Sequence, residues 1–284
     1  MKERKIGIRA VGIAAVLLLI LAAAGSSKPD RKGTGIQNTE ELGGKVLGGI
    51  RAARMEGEHA EVLFETILGV KLSGYREADS IDELLYELRS GRVDAICCPD
   101  VTAEYLLKTE AGLKRLAAPE DTSESVEGGG RLAFGFAMEE DDAELCQKIN
   151  AGLAELSADG TLKALQVAYV EANEPLKQYA SGKGTGKKLY VGVTGTVPPL
   201  DCLDGDGVPY GFSVALLEEL GKRTGYRFVA VPVKTEESFT ALRSGRVDML
   251  FCYGTGRNTS PTKKDYLMSD GYYTMMEYAY LTLE

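Results

Sequence analysis

The chain has no tryptophan and one histidine, His59. That scarcity speaks strongly against Ser-His-Asp catalysis and histidine-rich metal sites. His59 stands in a charged stretch with Glu56, Glu58 and Glu61, where it reads as a surface residue. A basic surplus is missing as well: 33 Lys and Arg face 42 Asp and Glu, a formal net charge of -9 at pH 7. No basic stretch interleaved with aromatics offsets this, so no nucleic-acid partner is expected. Long apolar runs are absent beyond Ala10–Ala24, so no later segment is expected to span a membrane. A phosphate-binding loop is absent too. Ser181-Gly182-Lys183-Gly184-Thr185-Gly186 has the wrong glycine-to-lysine spacing, and Lys188 stands where Ser or Thr is required.

What is present begins with an address. Lys2, Arg4, Lys5 and Arg9 precede the apolar run, Ala22-Ala23-Ala24 closes it, and Gly25-Ser26-Ser27 follows. This is the three-part layout of a secretory signal peptide over residues 1–24, with an uncleaved anchor as the alternative. Gly25 rather than Cys follows the small residues, which argues against lipidation. The chain is expected to be exported, extracellular or periplasmic, touching a membrane only through its N-terminal segment. The five cysteines are Cys97, Cys98, Cys146, Cys202 and Cys252, an odd number that leaves at least one thiol free or joined to another molecule. Cys97, Cys98 and Cys252 lie in buried-looking strands and read as structural.

One phrase occurs twice. Leu88-Arg89-Ser90-Gly91-Arg92-Val93-Asp94 returns unchanged as Leu242-Arg243-Ser244-Gly245-Arg246-Val247-Asp248. Ile81, Leu84, Leu85 and Leu88 have helical spacing, and Ser80 with Glu83 forms a capping-box pattern. Phe239 and Leu242 share a face in the second copy, with Glu236 and Glu237 near the helix start. Gly91 and Gly245 stand where a left-handed helix stop is wanted. A short apolar run follows each Asp, so each copy closes a helix and opens a buried strand. The separation is too long for a solenoid and predicts two related lobes.

Between these landmarks strands and helices alternate, which predicts an α/β fold with a mainly parallel sheet in each lobe. Residues 25–40 read as a tether, 41–138 as one α/β lobe, 139–172 as closing helices, 173–188 as a linker and 189–284 as the other lobe. Residues 118–130 are acidic and Gly-rich and read as a loop.

Several stretches resemble one family, the bacterial extracellular solute-binding proteins of the polar amino-acid type (family 3), substrate receptors of ABC importers. Tyr190 to Leu200 is similar to the family's opening strand and "PPF"-type loop. Asp206-Gly207-Val208-Pro209-Tyr210-Gly211-Phe212-Ser213 is similar to its turn into the first helix, and Ser269-Asp270-Gly271-Tyr272-Tyr273 to its "FSDPYY" signature. Lys45-Val46-Leu47-Gly48 resembles the strand that opens the family's lobe two, and Asn150 to Leu162 its C-terminal helices. The pieces stand in inverted order, which is expected of a circular permutation with old ends joined through 173–188. A fusion of two incomplete receptors is the alternative.

The resemblance implies a type II periplasmic-binding-protein-like fold, two α/β lobes with a hinge and an interlobe cleft. It implies capture of a small polar ligand such as an amino acid, an ABC importer permease as partner, no catalysis, no metal and no cofactor. The ligand-binding positions it implies are Arg51 and Ala52 at the anion loop of lobe two, and Asp100 beside the usual aspartate position, which is Pro99. Val197 and Leu200 stand in place of the aromatic wall, Tyr253 and Thr255 at a strand end. Arg257 is the nearest substitute for the family's arginine, which would fall near Ser260 to Thr262. A ligand-sensing module with a degenerate site is the second function. An enzyme on this scaffold is the third, and no motif singles out its acid or base.

Overall fold

The computed structural model describes residues 33–51, 57–117, 131–180, 186–255, 266–276 and 278–284. After a short turn of 3-10 helix at Thr39–Leu42 come β1 (Val46–Ile50), α1 (Gly57–Leu68), β2 (Gly74–Ala78), α2 (Ile81–Ser90), β3 (Ala95–Cys98), α3 (Asp100–Thr109) and β4 (Leu113–Arg115). Then follow β5 (Arg131–Glu139), α4 (Ala143–Ala158) and α5 (Thr161–Gln166), which runs into a π-type turn over Val167–Glu171. The second half holds β6 (Lys188–Val193), β7 (Cys202–Leu203), β8 (Pro209–Tyr210), α6 (Phe212–Thr224), β9 (Arg227–Pro232), α7 (Ser238–Arg243), β10 (Met249–Thr255), β11 (Tyr266–Met268), β12 (Tyr273–Met276) and β13 (Ala279–Leu283).

These elements make two α/β lobes, as expected. The first sheet has the order β2-β1-β3-β13-β4, and the second β9-β6-β10-β5-β11, with β12 also on β5. In each, three strands from one βαβαβ run are parallel, and a fourth strand closes the row antiparallel. That fourth strand comes from the other half of the chain. β13 pairs with β3 in the first sheet, and β5 pairs with β10 in the second. The expected boundaries at 138 and 284 therefore do not follow the sheets: β5 belongs with the second lobe and β13 with the first. Hydrophobic pattern alone could not show this, because a strand buried on both faces reads the same in either sheet.

The repeated phrase does the same work twice. Leu88 and Leu242 are buried under their helices, and Gly91 (φ 77°) and Gly245 (φ 70°) take the left-handed turn that stops them. Val93 and Val247 then enter the core. Asp94 Oδ2 accepts the Val46 N–H at 2.9 Å, and Asp248 Oδ2 accepts the Tyr190 N–H at 2.6 Å. Each Asp thus fastens the start of the neighbouring central strand. Half of the capping box before α2 forms: Ser80 Oγ accepts from Glu83 N at 3.1 Å, while the Glu83 carboxylate takes the N–H of Asp79, one residue before the cap, at 2.8 Å.

The second lobe's core gathers Phe136, Phe212, Phe251 and Tyr272 with Ile149, Leu153 and Leu156 of α4. The first lobe has one core on each face of its sheet, around Leu84, Leu88 and Ile96, and around Leu42, Leu47 and Phe64. Helix α3 serves both lobes: Val101 packs into the second lobe's core, Ala103 and Leu106 into the first's.

Two expected connectors are partly structured. Ile36 and Thr39, within the expected tether, are buried, and Asn38 bridges to Ala117. In the expected linker, Gly211 N donates to Gln178 O at 2.7 Å and Tyr179 bridges to Tyr210. Backbone pairing fastens both stretches, with Ile36 also packed into a core while Leu176 and Tyr179 of the linker stay exposed, and neither effect can be read from polar composition. The signal segment and the acidic loop at 118–130 lie outside the described residues.

Candidate functional site

In parallel α/β sheets ligands bind outside the carboxyl ends of the strands, where the connections diverge to opposite sides. Arg51 directly follows β1, Asp100 follows β3, Val197 and Leu200 lie in the loop after β6, and Tyr253 and Thr255 end β10. Six of the eight expected positions therefore stand at such ends. Ala52 and Arg257 lie outside the described residues, and only the backbone of Thr255 is described.

The two lobes meet beside these ends. Val101 N, in the first turn of α3, lies 3.3 Å from Met275 Sδ of β12. Helix α3 packs into the cores of both lobes there, Val101 into the second and Ala103 and Leu106 into the first.

The side chains at these ends are largely engaged. Arg51 Nε lies 2.7 Å from Asp79 Oδ1, and its Nη1 2.8 Å from Glu77 Oε2. The bond to Asp79 raises the Arg51 pKa; burial works against it, and the charges of Glu77, Asp79 and Glu236 reinforce it. Glu77 Oε1 is buried without a hydrogen-bond partner among the described residues. Asp100 Oδ1 pairs with Arg115 Nη1 at 2.6 Å, and Arg115 Nη2 reaches Glu104 at the same distance. Asp100 begins α3 without a capping bond, so its partner is the arginine and not the helix end.

In the second lobe Leu200 is wholly buried in the core, and Val197 packs half-buried against it. Tyr253 Oη lies 2.6 Å from Ser238 Oγ, and its ring meets Phe239 edge-on at 5.1 Å. Between Leu250 and Tyr253 the ladder to β5 shifts register, and Cys252 takes φ 60°, the one left-handed non-glycine residue among those described. Its N–H is held by the phenol oxygen of buried Tyr272 at 2.8 Å. Strained backbone of this kind concentrates at functional sites.

The loop after β6 is closed by a residue that sequence reasoning missed. Asp201 N donates to Val197 O at 2.9 Å, and Asp201 Oδ2 accepts from Thr194 N at 3.1 Å and Thr194 Oγ1 at 2.7 Å. Asp201 is wholly buried, and burial pushes its carboxyl above the usual range against those bonds. Glu77, Asp79 and Glu236 were missed too. The only signal was position, since Glu77 lies near the end of β2, Asp79 follows it and Glu236 follows β9, and each of these strands flanks a central one.

Residues 189–282 match the family of bacterial extracellular solute-binding proteins, family 3. The match takes in about a third of the chain, all of it after the linker. The arginine-binding extracellular protein ArtP of Bacillus subtilis is 30% identical over 138 residues, which cover 48% of this chain and 49% of ArtP. The chain thus spans about half the length of the curated relative it matches. Among solved structures, the substrate-binding protein of an amino acid ABC transporter aligns with a TM-score of 0.38 at 15% identity, over 84% of this chain and 85% of that one. A phosphate-binding protein of a phosphate ABC transporter from Streptococcus pneumoniae aligns with a TM-score of 0.38 at 12% identity, over 84% and 88%.

Proposed function

We propose that this protein is an exported receptor that captures a small polar ligand between its lobes and delivers it to an ABC-type importer. The observation that carries the reading is that the two lobes meet beside their strand ends, where Val101 of α3 lies against Met275 of β12, in a chain whose residues 189–282 match a solute-binding family. That match supports binding rather than catalysis. The ligand is an amino acid or similar, and its charged end is cationic. Glu77 and Asp79 outnumber Arg51 at the end of the first lobe's strands, and Arg51 already holds both carboxylates, so a carboxylate ligand has no free guanidinium fork there. The likeness to ArtP, an arginine-binding protein, supports the same class.

The inverted order of the family segments is a circular permutation in this reading. Each lobe takes its fourth strand from the opposite half, so one chain completes two lobes without a second copy.

A second reading, a sensing module whose site no longer takes a standard amino acid, is favoured by the ion pairs that occupy Arg51 and Asp100. Thermal unfolding with increasing L-arginine, L-lysine, L-glutamine and L-glutamate separates the two. A receptor gains stability as RT ln(1 + [L]/Kd), about 2.7 kcal/mol at a hundred times Kd, with the basic amino acids. A gain with glutamate alone would sink the cationic assignment. No gain with any of the four, on folded protein, would transfer the weight to the sensing module.

A further inference from the structure

We propose that Asp201 is the positioning residue of the ligand loop, and that its ionised carboxylate holds Thr194–Leu200 in the shape seen here. The ligand part of this inference rests on the receptor reading above; the loop part does not.

The loop leaves β6 at Val193 and must reverse before β7 begins at Cys202. Asp201 fastens both of its ends. Its N–H closes the turn on Val197 O, and its Oδ2 takes the N–H and hydroxyl of Thr194. Thr194 Oγ1 also lies 2.8 Å from Thr196 Oγ1, which carries the hold further along the loop. Asp201 Oδ1 is buried without a hydrogen-bond partner among the described residues. Two donors of Thr194 converge on Oδ2, which fits the ionised form, and a proton there would remove an acceptor that the loop uses.

The other titratable groups near Asp201 are the Cys202 thiol on β7, the Cys252 thiol on β10 and the Tyr272 phenol. Burial pushes all three upward, so they stay neutral where a carboxyl titrates. The Asp201 pKa is itself raised by burial. The hold on the loop is therefore complete above that raised value and is released as pH falls through it. Stability moves oppositely: a raised carboxyl costs most above its folded pKa, and acidification relieves that cost.

The test uses the whole chain. Amide exchange by NMR, without ligand, compares the wild type with Asp201→Asn and with Asp204→Asn, which removes a carboxylate from the neighbouring hairpin. Asp201→Asn is expected to speed exchange at Thr194 by about tenfold or more and to leave β1 to β3 unchanged. Asp204→Asn is expected to leave Thr194 unchanged. Calorimetry with L-arginine is expected to show about tenfold weaker binding in Asp201→Asn only. Unchanged exchange at Thr194, or faster exchange through both sheets, overturns the positioning role. Local loosening with unaltered arginine affinity overturns its ligand part. A wild type that binds no arginine refutes the arginine assignment, and the exchange result still decides the loop. If Asp201→Asn fails to fold, the wild type decides alone. The carboxyl carbon of Asp201 should titrate above the ordinary carboxylate range, with Thr194 protection following the same midpoint. An ordinary midpoint, or protection that ignores it, overturns the proposal.

Discussion

The Thr34 hydroxyl lies 2.7 Å from the Thr282 hydroxyl, although 248 positions separate them. Thr282 Oγ1 also donates to Asp94 O at 2.8 Å, and the backbone of Gly33 lies against that of Glu284. The first and last described residues therefore meet at one edge of the first lobe. If the order is a permutation, joining Glu284 to Gly33 and opening the chain within residues 181–185 should give the same fold. The re-ordered protein is expected to be a monomer whose melting temperature stays within about 5 °C of the natural one. Light scattering and thermal unfolding would check this. Aggregation of the re-ordered chain, or a natural chain that is folded only as a dimer, would count against the permutation.

Asp94 and Asp248 hold corresponding strands, so their removal should cost alike. Asp94→Ala and Asp248→Ala each leave a strand-opening N–H without its charged acceptor. Each is expected to lose about 1.5–3 kcal/mol in urea unfolding. Arg246→Ala, in the same phrase, removes only an exposed pair with Glu237 at 3.5 Å and should cost less than about 1 kcal/mol. Equal costs for all three would mean that the phrase matters only as a helix stop.

These aspartates mark the limit of what was legible before the structure. Local patterns carry local information: the Ser80 cap, the glycine stops and the apolar faces of α2 and α7 stand where spacing put them. Strand exchange did not show, because the apolar content of β5 and β13 records burial and not the identity of the neighbour. The candidate site was legible as positions at strand ends and not as contacts. Nothing near Arg51 in sequence reveals Glu77 and Asp79, which reach it because β2 lies beside β1 in register. Asp201 was invisible for the opposite reason. A carboxylate next to a turn reads as solvated, and only folding shows it closed off beneath its own loop.

Tyr272 tests the bulge. Its ring stacks on Phe251 at 5.1 Å, and its oxygen accepts the Cys252 N–H where the ladder slips. Tyr272→Phe keeps the ring and removes the acceptor, leaving a buried N–H unpaired. The expected cost is about 1–3 kcal/mol. Exchange at the Cys252 amide should rise more than at Phe251. A neutral substitution would show that the left-handed turn at Cys252 is held by the sheet alone.

The cysteines differ in reactivity for a reason that native alkylation can read. Thiolate is the nucleophile, so both access and pKa count. Burial pushes Cys97 up to about 12, with its bond to Tyr75 pulling the other way, and pushes Cys202 up to about 12. Cys98 and Cys252 are raised by the same cause and are equally buried. Cys146, on α4, is only half-buried, with its thiol 3.5 Å from Met268 O. At about pH 8 a thiol with a pKa near 12 is about one ten-thousandth thiolate, and it must also wait for the chain to open. Iodoacetamide on the native protein should therefore modify Cys146 first, and the other four only at the rate of unfolding. The order is read by mass spectrometry of peptides. Labelling of Cys202 ahead of Cys146 would mean that the β7–β8 hairpin opens independently of the lobes. The buried thiols would then report local opening beside the site, and the hairpin that follows Asp201 could not serve as a fixed end for the ligand loop.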